Sequence, residues 1–225
     1  MSPGVRRAVV IMAKRPRPGQ SKTRLVPPLT DRSAAELAEC FLLDALDLVR
    51  SVAGATPMVA VWPPESEAYF AQIAGDVERV TQVGAALDER LDHVLRECLA
   101  QGYEHVVALN ADSPTLPSRL LAEAFRALSR DDVDVVLGPA ADGGYYLIGW
   151  TQAHPTLVRG VEMSTPTVLA ETLERASAAG VRVALLEEWY DVDEPADLAR
   201  LIDELGPDDP RAPHTARLLQ RPAES

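Results

Sequence analysis

Two sets of residues in this sequence have the types and spacing to do chemistry: a run of cations near the amino terminus, and carboxylates set just after apolar segments. The run is K-R-P-R-P-G-Q-S-K-T-R-L, residues 14–25. Residues 1–30 contain Arg6, Arg7, Lys14, Arg15, Arg17, Lys22 and Arg24 and no Asp or Glu, in a chain of formal charge -12. Of its 22 basic residues only Lys14 and Lys22 are lysine, and both fall in this run. A loop that grips phosphates needs backbone amides free to turn inward, which Gly19 permits. It also needs side chains that spread positive charge over several oxygens, which Lys22 and Arg24 supply. Pro16 and Pro18 stiffen the approach. A solvated basic turn is the competing reading of the same charges. The run has neither the G-x-x-x-x-G-K-[ST] spacing nor G-x-G-x-x-G.

Asp112 lies in N-A-D-S-P-T-L-P (110–117), directly after the apolar H-V-V-A-L-N. A carboxylate there suits Mg²⁺, a hard cation that takes oxygen ligands and bridges to phosphates; it suits an N-cap or Asx turn equally well. D-V-D-E-P-A-D-L (191–198) offers the same choice. Asp193 before Pro195 would cap a helix, while Asp191 and Asp193 share one side if the segment is extended. P-A-A-D-G-G-Y-Y (139–146) reads as a glycine turn between two strands and carries Asp142, Gly143 and Gly144.

Strand-like β-branched runs at 8–13, 57–62, 77–81, 105–110, 133–138, 144–149 and 181–186 must position these groups. They alternate with amphipathic helical patterns at 31–52, 86–102, 118–130, 165–180 and 195–206. This βαβ rhythm predicts one α/β domain, a three-layer α/β/α arrangement around a mixed, mostly parallel sheet. The segment between 138 and 144 is too short for a parallel crossover, so those two strands should pair antiparallel. Ligands of such sheets bind beyond the carboxyl ends of the strands, where the basic loop and the carboxylate loops would meet. Domain bounds of 1–206 follow, with a Pro- and charge-rich flexible tail at 207–225.

The segment K-x-P-x-P-G-x-x-K-T-R-L resembles the opening loop of a bacterial family in the glycosyltransferase-A (GT-A) superfamily of nucleotide-diphospho-sugar transferase fold. Its members are labelled glycosyltransferases or arsenosugar-biosynthesis, radical-SAM-associated transferases. The K-T-R-L portion also resembles 2-phospholactate guanylyltransferases. The resemblance continues through the segments around Asp112, Asp142 and Asp193 and spans residues 8–201. It implies Asp112 and Asp193 as ligands of Mg²⁺ (or Mn²⁺), with Asp191 left open. It implies Lys14, Gly19, Lys22, Thr23, Arg24, Gln82 and Arg90 on the nucleotide, and Asp142, Gly143 and Gly144 on the acceptor side. Lys22, Arg24 and Asp112 would carry the catalysis. M-S-T-P-T-V-L (163–169) is similar to a further family segment, in which Ser164 can also cap the next helix. Two departures stand out: a proline-rich loop replaces the glycine-rich one of sugar nucleotidyltransferases, and Asn110-Ala111-Asp112 replaces the D-x-D of ordinary GT-A glycosyltransferases.

Composition narrows the partners. The acidic whole argues against a nucleic-acid binder, no apolar run reaches the ~20 residues of a membrane span, and the amino terminus does not read as an export signal. A cytoplasmic location is expected. Cys40 and Cys98 make neither a disulfide framework nor a metal spacing, and His93, His105, His154 and His214 form no set. The oligomeric state is not encoded in any heptad or apolar stripe. The expected partners are a nucleoside triphosphate or nucleotide-sugar and a small-molecule acceptor. Nucleotidyl transfer with release of pyrophosphate leads, because several cations at one sheet end match three phosphates better than two. Glycosyl transfer from a nucleotide-diphosphate sugar, and a non-catalytic nucleotide-binding module, are the alternatives.

Overall fold

Runs such as Ala8-Val-Val-Ile11 are apolar at every position, so a strand made from them is stable only when both faces are covered. The computed structural model describes residues 4–221, and there the runs form one seven-stranded sheet. The strands are β1 (Arg7–Lys14), β2 (Thr56–Trp62), β3 (Glu78–Thr81), β4 (His105–Leu109), β5 (Val135–Pro139), β6 (Tyr145–Trp150) and β7 (Val183–Leu185). Their order is β3-β2-β1-β4-β6-β5-β7. Every pairing is parallel except those of β6, which runs antiparallel to both β4 and β5. The short 139–144 connection therefore does force the antiparallel pairing expected of it. The fold is the mixed, mostly parallel α/β class anticipated from the sequence.

Alternation along β1 divides the core. Val9, Ile11 and Ala13 face one layer, with Leu42 and Leu46 of α1 (Asp31–Arg50), Phe70 of α2 (Glu67–Ile73) and Leu120 and Phe125 of α4 (Ser118–Leu128). Ala8 and Val10 face the other, with Leu91 and Leu95 of α3 (Leu87–Ala100), Leu157 of α5 (Pro155–Val158) and Ala176 of α6 (Val168–Ala178). A third cluster lies beyond the strand ends. It joins Leu25, Leu37, Phe41, Tyr190 and Val192 to Leu198 and Leu201 of α7 (Pro195–Glu204). Among the described residues no helix is long and apolar enough to cross a membrane.

The segment after Gly206 departs from the expected flexible tail. Residues Pro213–Leu219 form α8, which packs on α1 with Thr215 and Ala216 buried. The anchor is Asp44 of α1, 1% exposed, whose carboxylate accepts from the backbone N–H of His214 (2.8 Å) and Thr215 (3.0 Å) and from Thr215 Oγ1 (2.6 Å). Burial pushes the Asp44 carboxyl above its ordinary pKa, against the lowering effect of these donors. A carboxylate about 170 positions away thus satisfies first-turn amides of α8 that would otherwise lack partners. Composition could not reveal it. Residues 1–3 of the expected domain and 222–225 of the expected tail lie outside the described residues.

Asp44→Ala strands three donors at the α8 terminus, at a cost of roughly 1–3 kcal/mol. Hydrogen exchange should then accelerate across 213–219 while the amides of β1 and β4 keep wild-type protection; unchanged exchange in α8 would refute the anchor.

Candidate active site

The strand order reverses between β1 and β4, so their outgoing loops diverge and leave a crevice at the carboxyl end of the sheet. The basic loop enters it from β1. Its turns are fixed locally: Lys14 Nζ donates to the Gln20 carbonyl (3.1 Å), and the Arg17 N–H donates to Ser21 Oγ (3.0 Å). Gly19 sits at φ +70°, where a side chain is disfavoured. Lys22 takes the left-handed conformation (φ 48°, ψ 40°), and the chain then closes a 3₁₀ turn over Thr23–Leu25. Leu25 is completely buried and pins that turn to the third cluster.

Asp112 follows β4, and its backbone N–H donates to Asn110 Oδ1 (3.2 Å). Asp191 and Asp193 arrive from the far edge of the sheet. After β7 the chain runs beside β5, with the Trp189 N–H donating to Pro139 O (3.0 Å) and the Ala141 N–H to Trp189 O (2.9 Å). It then crosses to β4, where the Val192 N–H donates to Asp112 O (2.9 Å). Val192 is fully buried beside Leu25 in the third cluster. One apolar cluster therefore seats both the basic turn and the carboxylates flanking Val192. Asp193 is not the cap of α7; Glu194 takes that place, with Asp197 reaching back to its N–H (2.9 Å). Nor does Asp112 cap α4, which starts after Pro117.

These placements converge on one ammonium. Lys22 Nζ pairs with the Asp112 carboxylate and with Asp193 Oδ1 (2.8 Å), and lies 5.4 Å from the centroid of the Phe41 ring. The Lys22 side chain is 6% exposed, against 43% and 39% for Asp112 and Asp193. Burial by itself favours the neutral amine, but Asp112 and Asp193 outweigh it and hold the Lys22 pKa above its ordinary value. Asp191 stands behind them, accepting from Asn110 Nδ2 (2.9 Å) and from Ser113 Oγ. Burial first, and the Asp112 charge second, push its carboxyl up to about 6.

The cleft so formed has a volume of about 460 Å³. Lys14, Lys22, Thr23 and Arg24 line it on the β1 side, with Asp112, Asp191 and Asp193 beside them; Asp142 and Gly144 line it from the β5–β6 hairpin, two strands away. Arg24 is exposed and makes no ion pair among the described residues. Asp142 accepts from the Gly144 N–H (2.9 Å) in an Asx turn. Met163, Ser164 and Thr165, from the loop before α6, complete this side, with Ser164 at φ +64°.

Four anticipated residues are not in the lining. Gln82 is buried, and its side-chain N–H group donates to Ala13 O (3.0 Å) and Ala60 O (2.8 Å), tying β1 to β2. Arg90 donates to Ala85 O (2.9 Å) and stacks on Trp62 at 4.4 Å. Gly19 shapes the basic loop from outside the cleft. Gly143 serves the hairpin, since a Cβ there would meet Pro166 O at 2.1 Å. Sequence reasoning passed over Asn110 and Ser113 as partners of Asp191; their only signal was polarity immediately after a buried strand.

No group of three or more His, Cys, Asp or Glu among the described residues has the arrangement of a complete metal site. Mg²⁺ commonly takes only one or two carboxylates plus substrate phosphates, however. Asp112 and Asp193 are hard oxygen donors converging on one cation and open to solvent, which fits that pattern.

Residues 45–165 match the family described as "Uncharacterized protein conserved in bacteria (DUF2064)". The chain belongs to this family. It is similar to a solved structure from Desulfovibrio desulfuricans G20, a candidate nucleotide-diphospho-sugar transferase, with 29% identity, TM-score 0.88 and coverage of 96% of this chain and 94% of that one. CMP:2-keto-3-deoxy-manno-octonic acid synthetase complexed with CTP shares the fold at 16% identity and TM-score 0.56, covering 87% and 96%. So does glucosyl-3-phosphoglycerate synthase of Mycobacterium tuberculosis, in complex with Mn²⁺, UDP and glucosyl-3-phosphoglycerate, at 11% identity and TM-score 0.53, covering 88% and 75%. No curated protein matches the chain in sequence. The structural relatives of this DUF2064 chain are thus nucleotide-linked transferases of GT-A-like fold.

Gly143 combines φ +89° with backbone of Pro166 where its Cβ would stand. Gly143→Ala should cost about 2 kcal/mol or more, beyond the ~1 kcal/mol of a strained φ alone, and should sensitise 163–167 to proteolysis. A melting temperature within error of wild type would contradict this packing.

Proposed function

We propose that this protein is a divalent-metal-dependent nucleotidyltransferase that joins a nucleoside triphosphate to a small phosphorylated acceptor and releases pyrophosphate. The observation that carries this reading is the meeting of Lys14, Lys22 and Arg24, from one loop, with Asp112 and Asp193 at the β1/β4 crevice. Three cations on one short loop suit a triphosphate, and the resemblance of K-T-R-L to 2-phospholactate guanylyltransferases supports the same choice. That a relative sharing the fold is complexed with CTP is in keeping with this choice.

In this reading Arg24 and Lys14 bind the β- and γ-phosphates, because both are accessible from the cleft. Asp112 and Asp193 would hold Mg²⁺ or Mn²⁺, which when bound supplies Lewis-acid neutralisation of phosphate charge. Asp191, fixed by Asn110 and Ser113, orients the Asp112 loop. The hairpin carrying Asp142 and Gly144 positions the acceptor, whose phosphate oxygen attacks the α-phosphorus as the bond to the bridging oxygen of pyrophosphate breaks. No covalent enzyme intermediate is needed, and rate comes from positioning and preorganised charge. The second reading is glycosyl transfer from a nucleotide-diphosphate sugar. It is favoured by the description of the 29%-identical Desulfovibrio relative.

Thermal stabilisation by nucleoside triphosphates and nucleotide-diphosphate sugars, each with and without Mg²⁺, separates the two. A triphosphate at about 100 times its Kd should add ~2.7 kcal/mol, only with Mg²⁺, and the gain should vanish in Arg24→Ala and Asp112→Ala. Stabilisation by a nucleotide-sugar alone would replace the first reading with the second, and no response to any ligand would sink both.

A further inference from the structure

We infer that Lys22 is the resident counter-cation of the carboxylate pair and is exchanged for the divalent ion only when a phosphate arrives to receive its ammonium. The inference rests on the reading that Asp112 and Asp193 hold the metal. Its basis is the contact geometry: the one ammonium lies on both carboxylates that would hold the ion, and its side chain is almost entirely out of solvent while theirs are partly open.

An ammonium and a divalent ion seek the same carboxylate oxygens, so the two compete directly. A metal arriving alone would leave Lys22 charged, buried and unpaired, which is the costly way to break a buried pair. A metal arriving with a polyphosphate does not, because phosphate oxygens can take the ammonium over. The loop is built for this transfer. Lys14, at the end of β1, and Arg24, in the turn that Lys22 opens, line the same cleft as Lys22, so phosphate held by them lies in the cleft that the ammonium also lines. Lys22 sits at φ 48°, one of three non-glycine residues with positive φ among the described residues, a conformation disfavoured for a lysine. Leu25 anchors the turn three residues on. The consequence is coupling: metal and polyphosphate each raise the other's affinity, and the free protein resists metal alone.

The test uses full-length protein and Mn²⁺ alone, with bound and free ion separated by electron paramagnetic resonance. Lys22→Met and Lys22→Gln should bind Mn²⁺ at least about tenfold more tightly than wild type, and the gain should be lost when Asp112→Asn is added. Circular dichroism identifies which of the two variants is folded and therefore read. Equal affinity in a folded variant and wild type overturns the inference, as does failure of every variant to bind. Micromolar binding of Mn²⁺ alone by wild type overturns it without any variant. A triphosphate that stabilises wild type while Mn²⁺ affinity is unchanged in the variants leaves the nucleotidyltransferase reading standing and removes only the exchange.

Discussion

A buried ammonium must have carboxylate partners, and most of this structure's carboxyl end is arranged around supplying them to Lys22. Asp112 comes from the end of β4, which is adjacent to β1. Asp193 comes from a segment that starts at the opposite edge of the sheet and crosses two strands to reach the same atom. That journey is held by backbone bonds to Pro139, Ala141 and Asp112. It ends in the apolar cluster of Leu25, Phe41 and Val192, which is too small to be the main core but lies directly beneath the ion pairs. Hydrophobic burial sets position there, and charge pairing sets chemistry.

Much of this frame was legible. β-Branched and apolar runs located all seven strands to within about two residues; in the five inner ones burial on both faces makes the run apolar, while the edge strands β3 and β7 keep exposed positions and show through their β-branched residues. The short hairpin loop dictated the one reversal of strand direction. The rule that ligands gather at strand carboxyl ends was enough to predict that the cationic run and the two D-containing segments would meet. Asp191 and Asp193 both line the cleft, the first against Asn110 and the second against Lys22.

What escaped reading depended on partners far apart in sequence. Gln82 and Arg90 show the right chemistry for a nucleotide contact, yet backbone carbonyls of β1 and β2 take the amide, and Trp62 with Ala85 takes the guanidinium. A polar side chain near a crevice does not declare which competitor will claim it. Helix α8 was hidden for the same reason, since its composition is that of a tail and its anchor is a single buried aspartate on α1. Lys22 does line the cleft, but the sequence does not show that the folded chain has already engaged its ammonium with Asp112 and Asp193.

The β5–β6 hairpin has a different kind of importance. Its tip is clasped to the loop before α6 through Gly143 and Pro166, and the Leu169 N–H donates to Gly143 O (3.0 Å), so residues 140–144 and 163–169 behave as one unit. That unit touches the cleft but shares no hydrogen bond with the basic loop among the described residues. The two sides of the cleft can therefore drift separately: substitutions at Met163, Ser164 or Thr165 reshape what one wall admits without disturbing the charges held by the other. A lineage keeping this scaffold can remodel one wall of the cleft while leaving the charge arrangement of the other intact.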